Sequence, residues 1–131
     1  MPNWVYNRLT VKGEAKDLKS FSESIGSKVL PIDFPKLATV VTRSWDSRDE
    51  RDDSRVEKVK GGLIYFFDTA WGSRTDLVRD LSNAFPQLSL ELYFIEETEQ
   101  FAGAIICKAG KISGEAYLGD EELDDFMVSS E

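Results

Sequence analysis

The chain of 131 residues contains no histidine and a single cysteine, Cys107. Without imidazole there can be no Ser-His or Cys-His catalytic pair, and a zinc site would have too few soft ligands. A lone cysteine cannot form a disulfide within the chain, and the missing disulfide pattern favours a reducing compartment. Because Cys107 lies in an apolar run, we interpret it as a small buried hydrophobic residue rather than a nucleophile.

Long apolar runs are also missing. The longest nearly apolar stretch, residues 61–67, is too short to cross a bilayer. The first four residues lack the basic region and apolar core of a signal peptide. These features predict a cytoplasmic protein without membrane contact. No glycine-rich loop of the phosphate-binding type occurs, and we expect no cofactor.

Positive charge is scarce, since 16 basic residues face 24 acidic ones and the formal net charge is −8. Such a surface repels phosphate backbones and anionic lipids, so direct nucleic-acid binding is not expected. Six of these net negative charges lie in residues 120–131. We interpret this segment as a solvated acidic tail that follows one domain at residues 1–119. The carboxylates of residues 96, 97 and 99 are likewise interpreted as solvated turn residues.

Periodicity predicts the order of strands and helices. Strands are expected at residues 4–11, 62–69, 88–94, 101–108 and near 112–117, and helices at 14–25 and before Pro86. A short β-prone run covers residues 37–41. The charge-mixed segment 43–60 is interpreted as an exposed connection, with the remaining strand before it or near Val56. This order predicts an α+β, ferredoxin-like split βαβ fold: an antiparallel sheet with two helices on one face and an added C-terminal hairpin.

Several motifs share their order and spacing with a known group of proteins. They are Met1-Pro2-Asn3-Trp4-x-Tyr6-Asn7-x-Leu9-x-Val11-x-Gly13, Thr69-Ala70-Trp71, Leu81-Ser82-x-x-Phe85-Pro86-x-Leu88, Tyr93, Glu96 and Phe101-x-Gly103. Over most of residues 1–110 the chain resembles the YubB-type ferredoxin-like domain proteins of bacterial plasmids and phages. It departs at Val5, where the family often has cysteine, and keeps only Trp45-Asp46 of the family's central motif. The resemblance implies the fold and a mobile genetic element, but no reaction and no catalytic residues.

Aromatic and acidic residues supply the candidate contact sites. Trp45 lies among charged residues, which is typical of an interface anchor, although it can also fold back onto the core. Trp4 belongs either to the core or to an uncovered sheet face beside Tyr6. The predicted partner-binding residues are Trp45, Asp46, Asp49, Glu50, Asp52, Asp53, Trp4 and Tyr6.

These features predict a non-enzymatic, macromolecule-binding accessory protein of a mobile genetic element. Its expected partner is a host or element-encoded protein with a basic surface. One version is a counter-defence inhibitor, such as an anti-CRISPR protein, whose carboxylates compete for the Arg and Lys side chains of a nucleic-acid-binding groove. The oligomeric state stays open.

Two other functions compete with this prediction. The first is a carboxylate-based, metal-dependent enzyme or small-ligand module, which requires acidic side chains to converge in a pocket. The second is a single-stranded nucleic-acid-binding domain. For that function, residues 60–67 match the RNA-recognition signature only at Lys60, Gly61 and Phe67, and the two stacking aromatics are replaced by Gly62 and Ile64.

Overall fold

The computed structural model describes residues 4–28, 30–33, 36–37, 54–70, 75–98 and 100–118. Its elements in chain order are β1 (Trp4–Lys12), α1 (Ala15–Ile25), β2 (Arg55–Val59), β3 (Gly62–Ala70), α2 (Thr75–Ala84), β4 (Ser89–Glu96), β5 (Ala102–Lys108) and β6 (Lys111–Leu118). The predicted acidic tail, residues 120–131, lies outside the described residues. No helix in the described ranges is long and apolar enough to cross a membrane.

The six strands form one antiparallel sheet in the order β2-β3-β1-β4-β5-β6. The first four strands and the two helices follow the β-α-β-β-α-β sequence of the split βαβ fold. The hairpin of β5 and β6 extends the sheet beyond β4. The predicted α+β class with a ferredoxin-like antiparallel sheet is therefore confirmed.

Strict alternation of burial explains why β1 and β4 form where the sequence predicts them. In β1 the buried residues are Val5, Asn7, Leu9 and Val11, and the residues between them point to the opposite face. β4 alternates in the same way over its whole length. The continuous apolar run of β3 suggests a strand with both faces largely covered, and the structure shows otherwise. Of its inward residues, Tyr65, Phe67 and Thr69 are buried and Leu63 is half-buried. On the other face Ile64, Phe66 and Asp68 are only half-buried.

Both helices contribute to one hydrophobic core on the inward face of the sheet. Leu18, Phe21 and Ile25 of α1 and Leu77, Val78 and Leu81 of α2 belong to the same buried cluster as the inward residues of the strands. The ring of Phe21 lies edge-on to Tyr65 at 5.8 Å and to Phe85 at 5.0 Å, which connects α1 with β3 and with the end of α2. Cys107 is part of this core, as predicted, and burial raises the pKa of its thiol.

Local hydrogen bonds determine where the elements end. The Gly26 N–H donates to the Ser22 carbonyl at 3.0 Å, so Gly26 caps α1. Ala109 and Gly110 both have positive φ, which suits the tight turn expected between β5 and β6.

The β-prone interpretation of Leu37 is wrong. Leu37 lies in a helical turn, where its N–H donates to the Asp33 carbonyl at 2.8 Å. A carboxylate oxygen of Asp33 accepts the Lys36 N–H at 3.2 Å, so a local side-chain cap outweighs β propensity. The rest of that predicted run, residues 38–41, lies outside the described residues.

Candidate functional site

The candidate site is the sheet face opposite the two described helices, which we call the open face. It is formed by the outward-pointing residues of the strands, because side chains alternate between the two faces. Its central members are Trp4, Tyr6, Arg8 and Thr10 of β1, Ile64, Phe66 and Asp68 of β3, Glu91, Tyr93 and Ile95 of β4, and Arg55 and Glu57 of β2.

Tyr6 is the exposed aromatic residue in the middle of this face. Its side chain is 47% exposed, and its strand neighbours are Asp68 on β3 and Ile95 on β4. Trp4 lies two residues earlier on the same face and is half-buried. Its backbone N–H donates to a carboxylate oxygen of Glu97 at 3.0 Å, and its carbonyl accepts the Glu97 N–H at 2.9 Å. The sequence left open whether Trp4 belongs to the core or to the sheet face beside Tyr6, and the structure shows it on that face.

Two guanidinium groups lie over aromatic rings on the open face. The Arg8 guanidinium carbon is 4.7 Å from the centroid of the Tyr93 ring, and that of Arg55 is 4.0 Å from the Phe66 ring. At these distances the cation is attracted by the ring's quadrupole. Arg8 is also paired with Phe66 across the β1–β3 ladder. The side chains therefore form a continuous row across β2, β3, β1 and β4, in the order Arg55, Phe66, Arg8 and Tyr93.

The charges of this face are mixed in sign. Arg55 forms an exposed ion pair with Glu57 at 3.0 Å. Hydrogen bonding to Glu91 raises the pKa of Tyr93, burial raises it further, and the charge of Arg8 opposes the shift. The open face therefore does not present a continuous field of one sign.

Sequence reasoning identified Trp4 and Tyr6 but not the two cation–aromatic pairs. The alternation of β1 and β4 gives the signal for Arg8 and Tyr93, since both occupy outward positions in half-buried strands. The pairing of Arg55 with Phe66 depends on the register of β2 against β3, which the sequence does not reveal. The remaining predicted contact residues lie outside the described residues, and their role stays a prediction: Trp45, Asp46, Asp49, Glu50, Asp52 and Asp53.

Below the open face, Asn7 connects β1 to β3. Its side-chain amide donates to the carbonyls of Val5 at 3.1 Å and Phe67 at 3.3 Å, and to the hydroxyl of Thr69 at 3.1 Å. These bonds satisfy donors that would otherwise be buried without partners. Asn7 therefore holds the strand that carries Tyr6 and Arg8 against its neighbour.

Glu96 was expected to be a solvated turn residue, and this interpretation is wrong. Its side chain is only 1% exposed. Its carboxylate accepts the Thr98 hydroxyl at 2.8 Å, the Thr98 N–H at 3.1 Å and the Gln100 N–H at 3.0 Å. The Thr98 hydroxyl bond is the main cause that lowers the pKa of Glu96. Three converging donors thus turn this carboxylate inward, where it closes the β4–β5 turn.

Clusters of metal-ligating side chains are not found in the described ranges, where no group of three or more His, Cys, Asp or Glu residues could hold an ion. The metal-dependent alternative therefore has no candidate ligand set among those residues.

A family model covers more than half of this chain and agrees with the fold. Residues 44–127 match the family model described as the ferredoxin-like domain in Api92-like protein. A solved structure, protein api92 from Yersinia pseudotuberculosis, aligns with 63% of this chain at 15% identity and a TM-score of 0.47. The alignment covers 28% of that protein, so the chain spans less than a third of its length. No curated protein matches the chain at a significant level.

Proposed function

This chain belongs to the family of ferredoxin-like domains in Api92-like proteins, and we propose that it is a non-catalytic module whose open face binds another protein. The observation that carries the proposal is the exposed ring of Tyr6 beside the Arg8–Tyr93 and Arg55–Phe66 pairs. Tyr, Trp, Phe and Arg are the residues enriched in the cores of protein interfaces, and Tyr, Trp and Arg most often dominate their binding energy.

The rigidity of this surface supports the proposal. Tyr6 lies between the buried residues Val5 and Asn7 on a strand that is paired on both sides. The guanidinium groups of Arg8 and Arg55 already rest on rings. A partner therefore has to immobilise few side chains, and this lowers the entropic cost of association.

A protein partner fits the open face better than a single-stranded nucleic acid. Nucleic-acid platforms need bare aromatic rings for base stacking and a positive groove for the backbone. Here the rings of Tyr93 and Phe66 already have arginine over them, and Glu57, Asp68 and Glu91 place carboxylates on the same surface. The two positions where the RNA-recognition signature requires aromatics belong to this face and hold Gly62 and Ile64.

The net charge of −8 favours a partner with a basic surface. One form of the proposal is the counter-defence inhibitor of a mobile genetic element, in which the domain blocks the cationic groove of a host nucleic-acid-binding effector such as a CRISPR effector. In that form the acidic residues at 46–53 add electrostatic attraction to the contact made by the open face.

Site-specific photo-crosslinking tests this proposal. A photo-reactive phenylalanine analogue replaces Tyr6 in one variant and Lys19, an exposed residue of α1, in the control. After irradiation in a nuclease-treated host lysate, the Tyr6 variant should give a discrete protein adduct that the Lys19 variant lacks. Equal crosslinking from both positions, or adducts only with nucleic acid in an untreated lysate, would contradict the proposal.

A further inference from the structure

A groove opens on the helix side of the sheet, away from the open face. It has a volume of about 510 Å³ and lies between the C-terminal end of α1, the segment that follows this helix, and the β2–β3 hairpin. Its apolar lining consists of Leu30, Pro31, Val56, Leu63 and Tyr65. The volume is in the range of small-molecule sites, and a mainly apolar lining with few polar groups is typical of them.

Tyr65 supplies a polar group to this apolar lining. The residue is only 1% exposed, and it lines the groove. Burial raises the pKa of Tyr65 to about 12, so the hydroxyl remains a protonated donor at neutral pH. A hydroxyl donor in the wall of an apolar groove is the kind of polar group that orients a ligand acceptor.

Two lysines at the groove have no counter-charge in the described part of the chain. Lys28 and Lys58 both line it and form no ion pair there. Lys36 is different, because its ammonium donates to the Gly26 carbonyl at 2.8 Å and thereby caps α1. The carboxylate that lines the groove, Glu23, is 4.0 Å from Lys19 on the same helix. The lysines therefore favour an anion.

The register of the β2–β3 hairpin brings the donor and one of these cations close together. Val56 is paired with Tyr65, and Lys58 is paired with Leu63. Lys58 is therefore the diagonal neighbour of Tyr65 on the same face of the ladder, within reach of a long side chain.

We propose that this groove binds a small amphipathic carboxylate. The apolar chain or ring of the ligand packs against Leu30, Val56 and Leu63, its carboxylate accepts the Tyr65 hydroxyl, and the lysine ammonium groups balance its charge. This site is independent of the protein contact made by the open face.

The test uses the full chain and 4-phenylbutyrate as the probe, with 4-phenylbutanol as its uncharged analogue. Titration followed by NMR amide shifts should locate binding at residues 56–65 and show weaker binding of the alcohol. Tyr65→Phe should weaken binding of the carboxylate by about tenfold, because a hydrogen bond to a charged group contributes about 1.5 kcal/mol or more. This variant keeps the buried ring in the core, so its melting temperature should stay close to that of the wild type.

Two charge variants complete the test. Lys58→Glu should weaken binding of the carboxylate and leave binding of the alcohol almost unchanged. Lys111→Glu is the matched control, because Lys111 lies on the opposite edge strand, β6, and it should bind like the wild type. The proposal is overturned if the probe shifts no amides at 56–65, if the alcohol binds as well as the carboxylate, or if Tyr65→Phe and Lys58→Glu both bind normally.

Discussion

Replacing Gly103 with alanine should destabilise the domain, because the ring of Phe94 occupies the space beside this glycine. A Cβ atom at position 103 would lie 2.3 Å from Cζ of Phe94 and 2.7 Å from the backbone carbonyl oxygen of Ala116. Neither distance is possible for real atoms, so both the ring and strand β6 would have to move. Phe94 is also within 6.4 Å of Phe101 and 6.2 Å of Tyr117, measured between ring centroids, so its ring cannot shift alone.

Overpacking of this kind costs about 1–3 kcal/mol. For a domain of this size, a loss of about 2 kcal/mol lowers the melting temperature by roughly 5–10 °C. The assay is urea unfolding followed by circular dichroism, with a thermal melt of the same samples. Gly103→Ala should lower the urea midpoint without changing the slope of the transition.

Gly114→Ala is the matched control on the neighbouring strand. A Cβ there would meet only the Ile106 side chain, at 3.5 Å from Cδ1 and 3.9 Å from Cγ1, which are ordinary contacts. This change should be neutral or should stabilise by about 0.4–1 kcal/mol, because alanine restricts the unfolded chain. In a Phe94→Leu background, Gly103→Ala should cost less than in the wild type. Equal stability of the two alanine variants would refute the packing argument.

Three further outcomes are expected. Glu96→Gln should lower the melting temperature at pH 7. Because the folded-state pKa of Glu96 is lowered, the carboxylate stabilises the fold above its unfolded-state pKa, and this effect is lost as the pH falls through the folded-state pKa. In melts from pH 7 to pH 3, the difference in melting temperature between wild type and variant should therefore shrink below about pH 4. Deletion of residues 120–131 should change the melting temperature by no more than a few degrees, because an exposed acidic segment contributes little; a collapse of the fold would show that this segment packs on the core. In surface-based binding kinetics, association with a basic partner should slow as the salt concentration rises, while Trp45→Ala should mainly speed dissociation. An association rate that does not change with salt would contradict the electrostatic part of the proposal.

The sheet was largely predictable from sequence, because its strands carry local signals. Alternating burial marks β1 and β4, and a continuous apolar run marks β3. The sequence placed β2 only near Val56, since all five of its residues are exposed and three of them are charged like the segment before it. It is a strand because the turn at Gly61, with φ +74°, folds it back along β3.

The candidate site was less predictable, because it depends on residues that are distant in sequence. Outward positions in β1 show that Tyr6 and Arg8 share a face, but not that Arg8 reaches Tyr93. The inward turn of Glu96 depends on donors supplied by a turn whose conformation has no strong sequence signal. Composition alone favoured the acidic segments as the contact site. The structure instead shows aromatic and arginine side chains packed together on the open face.

The most direct test of the account is the dissociation constant for the protein crosslinked through position 6. Tyr6→Ala should raise it by about 30-fold, the size expected when a central aromatic contact contributing about 2 kcal/mol is lost. Lys19→Ala, on the opposite side of the domain, should leave it unchanged. If Tyr6→Ala binds that protein as tightly as the wild type does, the open face is not the binding surface.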